Sequence, residues 1–193
     1  LPISFQRGIR DNSYALLDVA RKNATLSAPV GTTDKLAVVS AEYDVNNVSS
    51  NFSRVDVGSI RISQGFGGIL GAMQASNDPG ASRQGGSGKN AGGSFTKLEG
   101  RYDHIQRLTT NQTLLTTVSG QFSNDLLTSI EQMALGGPTS VRAYPISEFL
   151  VDSGYFASLE WTVRAPGFAD KAAFGHYTWG QVLQLAAFAD IAG

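Results

Sequence analysis

Hydrophobic and polar residues alternate along several segments of the chain, with the period of two that is typical of β-strands. In residues 155–164, Leu159 and Trp161 share one side of an extended strand, while Glu160 and Arg164 share the other. The helical period of 3.6 residues fits no long segment better. Three other segments alternate as clearly, namely residues 97–104, 112–122 and 183–191. The pattern therefore predicts an all-β fold.

Weaker alternations raise the number of predicted strands to about eight. They lie in residues 3–10, 36–43, 55–63 and 128–133. In the third of these segments the hydrophobic positions shift from Val55 and Val57 to Ile60 and Ile62, which predicts a β-bulge near Gly58. Residues 77–93 are rich in Gly, Ser and Asn and predict a long flexible loop, and residues 136–153 predict a second long loop.

Composition narrows the possible classes of function. Lys+Arg 15 and Asp+Glu 16 give a net charge of -1, so we expect no nucleic-acid partner. Cys 0 excludes disulfides and thiol chemistry. No uncharged apolar run is long enough for a transmembrane helix, but a transmembrane strand needs only about 9–11 residues. The chain begins at Leu1 without an initiator Met or a secretory signal, so we expect it to be part of a longer protein.

No group of residues indicates a catalytic, metal or cofactor site. The glycine-rich residues 65–71 lack the spacing and the βαβ context of a dinucleotide loop. Neither His104 nor His176 has an acidic or histidine neighbour at ligand spacing, and His104 is expected at a polar or interfacial boundary. We therefore expect no enzyme activity and no cofactor.

A row of four charged residues lies on one side of the strand predicted at residues 97–104. These residues are Lys97, Glu99, Arg101 and Asp103. Such a row is compatible with the water-facing side of a soluble sheet, where charges pair across strands. It is equally compatible with the lumen wall of a membrane barrel, whose opposite side would contact lipid. The alternation alone leaves both interpretations open.

An ordered series of short motifs decides between the two interpretations. Its residues are Glu131, Gln132, Leu135, Gly136, Gly137, Val141, Arg142, Tyr144, Asp152, Gly154, Leu159 and Glu160. The series resembles the haemolysin secretion/activation family of two-partner secretion outer-membrane transporters. In that family, a strand with Glu-Gln and Leu-Gly-Gly leads into a loop with Val-Arg-Gly-Tyr, followed by Gly-Asp-x-Gly and a strand ending in Glu-Leu-Arg. The similarity is strong from about Phe95 to Gly193.

The resemblance implies that the loop folds back into the lumen, where its arginine pairs with the aspartate of a Phe-x-Asp-x-Gly strand motif. Here those residues are Arg142 and Asp190. The alternation with a period of two residues independently places Asp190 on the more polar side of its strand. Two family glycines are replaced, by Ala143 and Ala192, and a positive φ angle at Ala143 would be strained.

The resemblance further implies that residues 1–193 form about half of a 16-stranded antiparallel barrel in the bacterial outer membrane, with POTRA domains outside this chain. The implied partners are outer-membrane lipid and a large secreted exoprotein of haemolysin or adhesin type. Two alternatives remain: a barrel-assembly insertase of the same superfamily, and a soluble extracellular β-sandwich that binds glycans or proteins. We expect the polar residues that face the lumen to include Lys97, Glu99, Arg101, Asp103, Glu160 and Arg164.

Overall fold

The structure, a computed structural model, is built almost entirely from β-strands, as the alternating pattern predicts. It describes residues 3–14, 17–18, 25–26, 30–50, 53–83 and 89–193, with side chains from Asp34 onward. Its only helix within these residues is the single turn α1 (Trp179–Val182). The strands are β1 (Ile3–Tyr14), β2 (Leu17–Asp18), β3 (Thr25–Leu26), β4 (Val30–Val48), β5 (Arg54–Gly65), β6 (Phe95–Thr109), β7 (Gln112–Ser123), β8 (Met133–Leu135), β9 (Phe149–Val151), β10 (Gly154–Arg164) and β11 (Gln184–Ala192).

Seven strands form one continuous antiparallel sheet in the order β1-β4-β5-β6-β7-β10-β11. Each long strand pairs with the one before it in this order, so the sheet grows by simple hairpin additions. Two small sheets, β2-β3 and β8-β9, lie outside it. Within the described residues, no helix is long and apolar enough to cross a membrane.

The register gives the sheet two chemically different faces, because side chains alternate along every strand. The apolar face carries large exposed side chains that neighbour one another across the strands. They include Tyr43, Ile60, Ile62, Leu98, Tyr102, Val118, Phe122, Tyr155, Leu159, Trp161, Leu185 and Ile191. The polar face includes Glu42, Arg61, Lys97, Glu99, Arg101, Asp103, Thr117, Gln121, Ser158, Glu160, Arg164 and Asp190.

The connections at the two ends of the sheet differ in length. At one end, β4 and β5 are separated by only five residues (49–53) and β6 and β7 by only two (110–111), and residues 165–183 with α1 form a longer excursion. At the other end, residues 66–94 and 124–153 form long loops. The long loops bury apolar residues against the polar face near its end. This hydrophobic core consists of Leu36, Val38, Met73, Ala81, Ala91, Phe95 and Leu127.

Two details of the sequence prediction are wrong. Pairing of β5 with both neighbours runs without a register shift through Gly58, so there is no bulge at that position. Val55 and Val57 simply lie on the polar face near the short-turn end, and the later isoleucines lie on the apolar face. Residues 128–132 form turns and not a strand, because this segment bends towards the loop. Of the loop predicted at residues 77–93, residues 84–88 lie outside the described residues.

Candidate functional site

The loop that carries the family motif is a small folded arm. Strands β8 and β9 pair with each other, and residues 136–148 form the tip between them. Gly136 and Gly137 have φ angles of 107° and 94°, which favour glycine. A Cβ atom on Gly136 would lie 2.3 Å from the carbonyl oxygen of Pro145. The tip is closed by a hydrogen bond from the Gly137 amide to the Tyr144 carbonyl, 3.0 Å long.

Arg142, at this tip, binds the polar face of the last two strands. Its Nε and Nη2 donate to the two carboxylate oxygens of Asp190 at 2.9 and 2.8 Å. Its backbone amide donates to the same carboxylate at 3.1 Å. Nη1 donates to Glu160, and Nη2 also donates to the Ser158 hydroxyl at 3.0 Å. The guanidinium carbon lies 3.6 Å from the centroid of the Phe188 ring, an arrangement in which a ring stabilises a cation.

The register of β10 and β11 assembles this site. Ser158 is directly opposite Asp190, and Glu160 is directly opposite Phe188. All four side chains therefore project from one patch of the polar face, although they come from two strands. Ser158 also donates to Asp190 at 2.7 Å, which fixes the carboxylate between two donors.

Electrostatics hold Arg142 in its charged form. Its donation to Asp190, and secondarily to Glu160, raises the pKa of Arg142 above its ordinary value despite partial burial. The Asp190 side chain is only 5% exposed, so its charge depends on the loop for compensation. Removal of Arg142 would leave the poorly hydrated Asp190 carboxylate without its counterion, whereas removal of Asp190 would leave Arg142 with Glu160 as its only ion-pair partner among the described residues.

A second contact fixes the base of the loop. Lys97, a buried residue of β6, donates to the Glu131 carboxylate at 2.8 Å, with Glu99 at 3.4 Å. Gln121 of β7 donates to the Glu131 carbonyl at 3.1 Å. The sequence shows Glu131 only as part of a motif and gives no sign that it pairs with Lys97.

The other residues singled out from the sequence take separate places. Arg101 pairs with Asp103 on its own strand at 2.7 Å, and Arg164 ends β10 with an exposed side chain. The Tyr144 ring packs edge-on against Phe149 at 5.3 Å, within the arm. Val141 contributes its carbonyl, which accepts a hydrogen bond from the Tyr144 amide. None of these side chains joins the Arg142 cluster.

The two positions that depart from the family glycines are accommodated without strain. Neither Ala143 nor Ala192 has a positive φ angle. The condition for strain at Ala143, a positive φ angle, is therefore not met in this loop, whose positive φ angles occur at Gly136, Gly137 and Ser147.

An interloop ion pair was not predictable from the spacing. Arg83, in the 66–94 loop, donates to both carboxylate oxygens of Asp152, one at 2.9 Å, and to the Leu127 carbonyl at 2.8 Å. Asp152 precedes β10, and the sequence shows it only as part of a family motif. The two long loops are thereby tied together beside the hydrophobic core.

A hairpin-built antiparallel sheet with one apolar and one polar face, and a loop arginine bound to the polar face, defines part of an outer-membrane β-barrel. The sequence matches the family model "Haemolysin secretion/activation protein ShlB/FhaC/HecB" over residues 22–189. The chain belongs to this family. The match extends further upstream than the motifs alone indicated.

A solved structure shows the same fold. The chain is similar to CdiB from Escherichia coli, with a TM-score of 0.55 and 17% sequence identity over 83% of this chain. The similarity covers 31% of the CdiB chain, so this chain spans a minor part of that structure. A comparison with curated proteins gave no match.

Family membership places the chain in the bacterial outer membrane, in agreement with the sequence prediction. In outer-membrane barrels the apolar side of the wall contacts lipid and the polar side lines the lumen, and we expect the two faces of this sheet to be divided in the same way. The barrel is not closed by the described strands, since β1 and β11 are both edges of the sheet. The family is a secretion family and not an enzyme family.

Proposed function

We propose that the intact protein exports a large exoprotein, of haemolysin or adhesin type, across the outer membrane through the barrel lumen. Residues 1–193 would supply about half of the barrel wall together with its lumenal loop, and the remaining strands and the POTRA domains would come from the rest of the protein. The observation that carries this proposal is the pair of ion pairs that Arg142 forms with Asp190 and Glu160. They hold the loop tip against the polar face of the sheet.

The ion pairs of Arg142 give the loop a defined position in the transport path. The loop is bound at its tip through Arg142 and at its base through Lys97 and Glu131. A loop held at both points narrows the lumen and stabilises the strands behind it. Folding of the cargo outside the cell would supply the driving force for export, without a nucleotide site in this chain.

The proposal predicts that Arg142→Ala or Asp190→Ala in the full-length protein lowers secretion of the cognate exoprotein by about tenfold or more, because each removes the paired contact that holds the loop tip on the last two strands. Barrel insertion should remain largely intact, since the sheet itself has no backbone pairing through the loop. Secretion is measured by immunoblot of the culture medium, and insertion by heat-dependent mobility of the outer-membrane fraction.

Arg107→Ala is the matched control, because Arg107 is an exposed arginine near a short turn, remote in sequence from the loop. It should secrete as the unmodified protein does. Normal secretion by both the Arg142 and the Asp190 variants would remove the proposed role of the loop. Loss of secretion with simultaneous accumulation of other misassembled barrel proteins would instead favour the insertase function.

A further inference from the structure

The apolar face carries a cluster of polar side chains for which the proposed export function gives no role. It lies on β5 and β6, where Asp56 pairs with His104 in the register, on the face that carries Ile60 and Leu98. The Asp56 carboxylate forms an ion pair with Arg54, whose Nε lies 3.0 Å away, and it accepts hydrogen bonds from Tyr102 Oη at 2.7 Å and from His104 Nδ1 at 2.6 Å. The carboxylate is thus surrounded by donors on a surface that faces lipid.

The position of the cluster along the strand places it near the edge of the lipid-facing band. On the apolar face of β5, the stretch that contains Ile60 and Ile62 is bordered by Gln64 at one end and by Asp56 and then Arg54 at the other. Ten residues of strand rise about 33 Å, and a strand tilt of about 40° reduces this to about 25 Å along the membrane normal. That is the height of the apolar band of such barrels, so Arg54 lies at the level of the lipid headgroups.

The short turns identify which leaflet this is. Arg54 directly follows the short connection of residues 49–53, and the short connections of outer-membrane barrels face the periplasm. The headgroups at this level belong to the inner leaflet.

The exposure of the two charged side chains differs. The Asp56 side chain is 13% exposed, whereas that of Arg54 is 50% exposed. Asp56 therefore acts as an internal anchor that orients the guanidinium through Nε, and the accessible part of Arg54 is available to a ligand. The planar guanidinium fork matches the oxygens of a phosphate group.

We propose that Arg54, oriented by Asp56, binds the phosphodiester of a phospholipid in the inner leaflet of the outer membrane. Tyr102 and His104 hold Asp56 in place from the neighbouring strand, and their rings stack at 6.3 Å. The site does not depend on the export function, because it lies on the opposite face of the sheet from Arg142.

The test is native mass spectrometry of the full-length protein in detergent, titrated with dioleoyl phosphatidylethanolamine. Arg54→Gln should raise the Kd for the lipid about tenfold, as expected for loss of a hydrogen bond between charged groups. Arg61→Gln is the matched control, because Arg61 lies on the same strand but faces the lumen, where it donates to Glu42 at 2.8 Å. It should bind the lipid as the unmodified protein does.

Equal weakening of lipid binding by both variants, or by neither, would overturn the proposal. A measurement on the unmodified protein keeps the test independent of how Arg54→Gln folds. Dioleoylglycerol, which has the same chains but no phosphate, should bind much more weakly than the phospholipid, and equal binding would overturn the site. Displacement of the lipid by an equal concentration of inorganic phosphate would show an anion site with no lipid specificity, which also contradicts the proposal.

Discussion

Arg142 connects the loop to the barrel wall through one side chain. Its planar guanidinium contacts Asp190 with two nitrogens and reaches Glu160 and Ser158 with the terminal pair. A point charge cannot reproduce this arrangement, because the directions of the five N–H donors are fixed relative to each other. The identity of the residue therefore matters as much as its charge.

Arg142→Lys tests this distinction. The ammonium group should still pair with Asp190 but should lose the simultaneous contacts to Glu160 and Ser158, so we expect secretion between that of the unmodified protein and that of Arg142→Ala. The measurement is the amount of exoprotein in the medium, normalised to inserted barrel. Full secretion by the lysine variant would mean that charge alone positions the loop.

Gly136 sets the entry of the loop tip through its backbone conformation. Gly136→Ala should cost about 1–3 kcal/mol in local loop stability, because its φ angle is 107° and the new Cβ would collide with the Pro145 carbonyl. Limited proteolysis of the inserted barrel should show faster cleavage within residues 136–148. Gly100→Ala is the control, since the nearest atom to a Cβ there is the Ser59 carbonyl oxygen at 3.9 Å. Equal protease resistance of the two variants would contradict the expected strain.

The sequence predicts the positions of most strands correctly, but it does not predict the contacts that the loops make. Alternation identified the strong segments because one face of each strand meets a single environment along its whole length, as in β10. It failed at residues 128–132, where Ile130 lies in a turn, and Met133 begins the short strand β8 outside the main sheet. The pair Arg142 and Asp190 followed from motif resemblance. The partners of Glu131 and Arg83 depend on how loops fold back over the sheet, and no local pattern encodes that.

The ion pair between Arg83 and Asp152 links the two long loops and leads to a prediction about their mobility. Asp152→Asn should weaken the contact with Arg83, because the amide carries no charge and accepts through one oxygen only. For a partly exposed pair we expect a loss of about 1 kcal/mol and about fivefold faster protease cleavage of residues 66–94. Asp170→Asn, at an exposed position at the opposite end of the sheet, should leave the cleavage rate unchanged. A rate unaffected by Asp152→Asn would show that the hydrophobic core alone holds the loops.

The sheet as a whole is an open wall. Its edge strands β1 and β11 present unpaired backbone groups, which lipid cannot satisfy, so closure requires strands beyond these two. Its exposed apolar face is large, as is typical of a barrel wall whose outer side contacts lipid and not water. The division of the sheet into a polar and an apolar face can therefore be tested by the accessibility of successive residues along any one strand.

Neighbouring positions on β7 provide that measurement. Ser119 lies on the polar face and Val118 on the apolar face, by their pairing with Arg101 and Tyr102. In a cysteine-free background of the full-length protein, Ser119→Cys should react with a water-soluble maleimide in intact membranes, and Val118→Cys should react only after detergent is added. The opposite labelling pattern would show that the faces have been assigned the wrong way round.

The charges of the polar face alternate in sign across the strands. Glu42 lies opposite Arg61, and Arg61 lies opposite Glu99, while Arg101 and Asp103 form a pair one step along β6. On the proposed export path, a polypeptide sliding past such a wall would meet no extended region of one potential, since each attractive contact is next to a repulsive one. Friction on the moving chain would then stay low whatever the sign of its charges, and unfolded segments of very different composition would pass without becoming trapped.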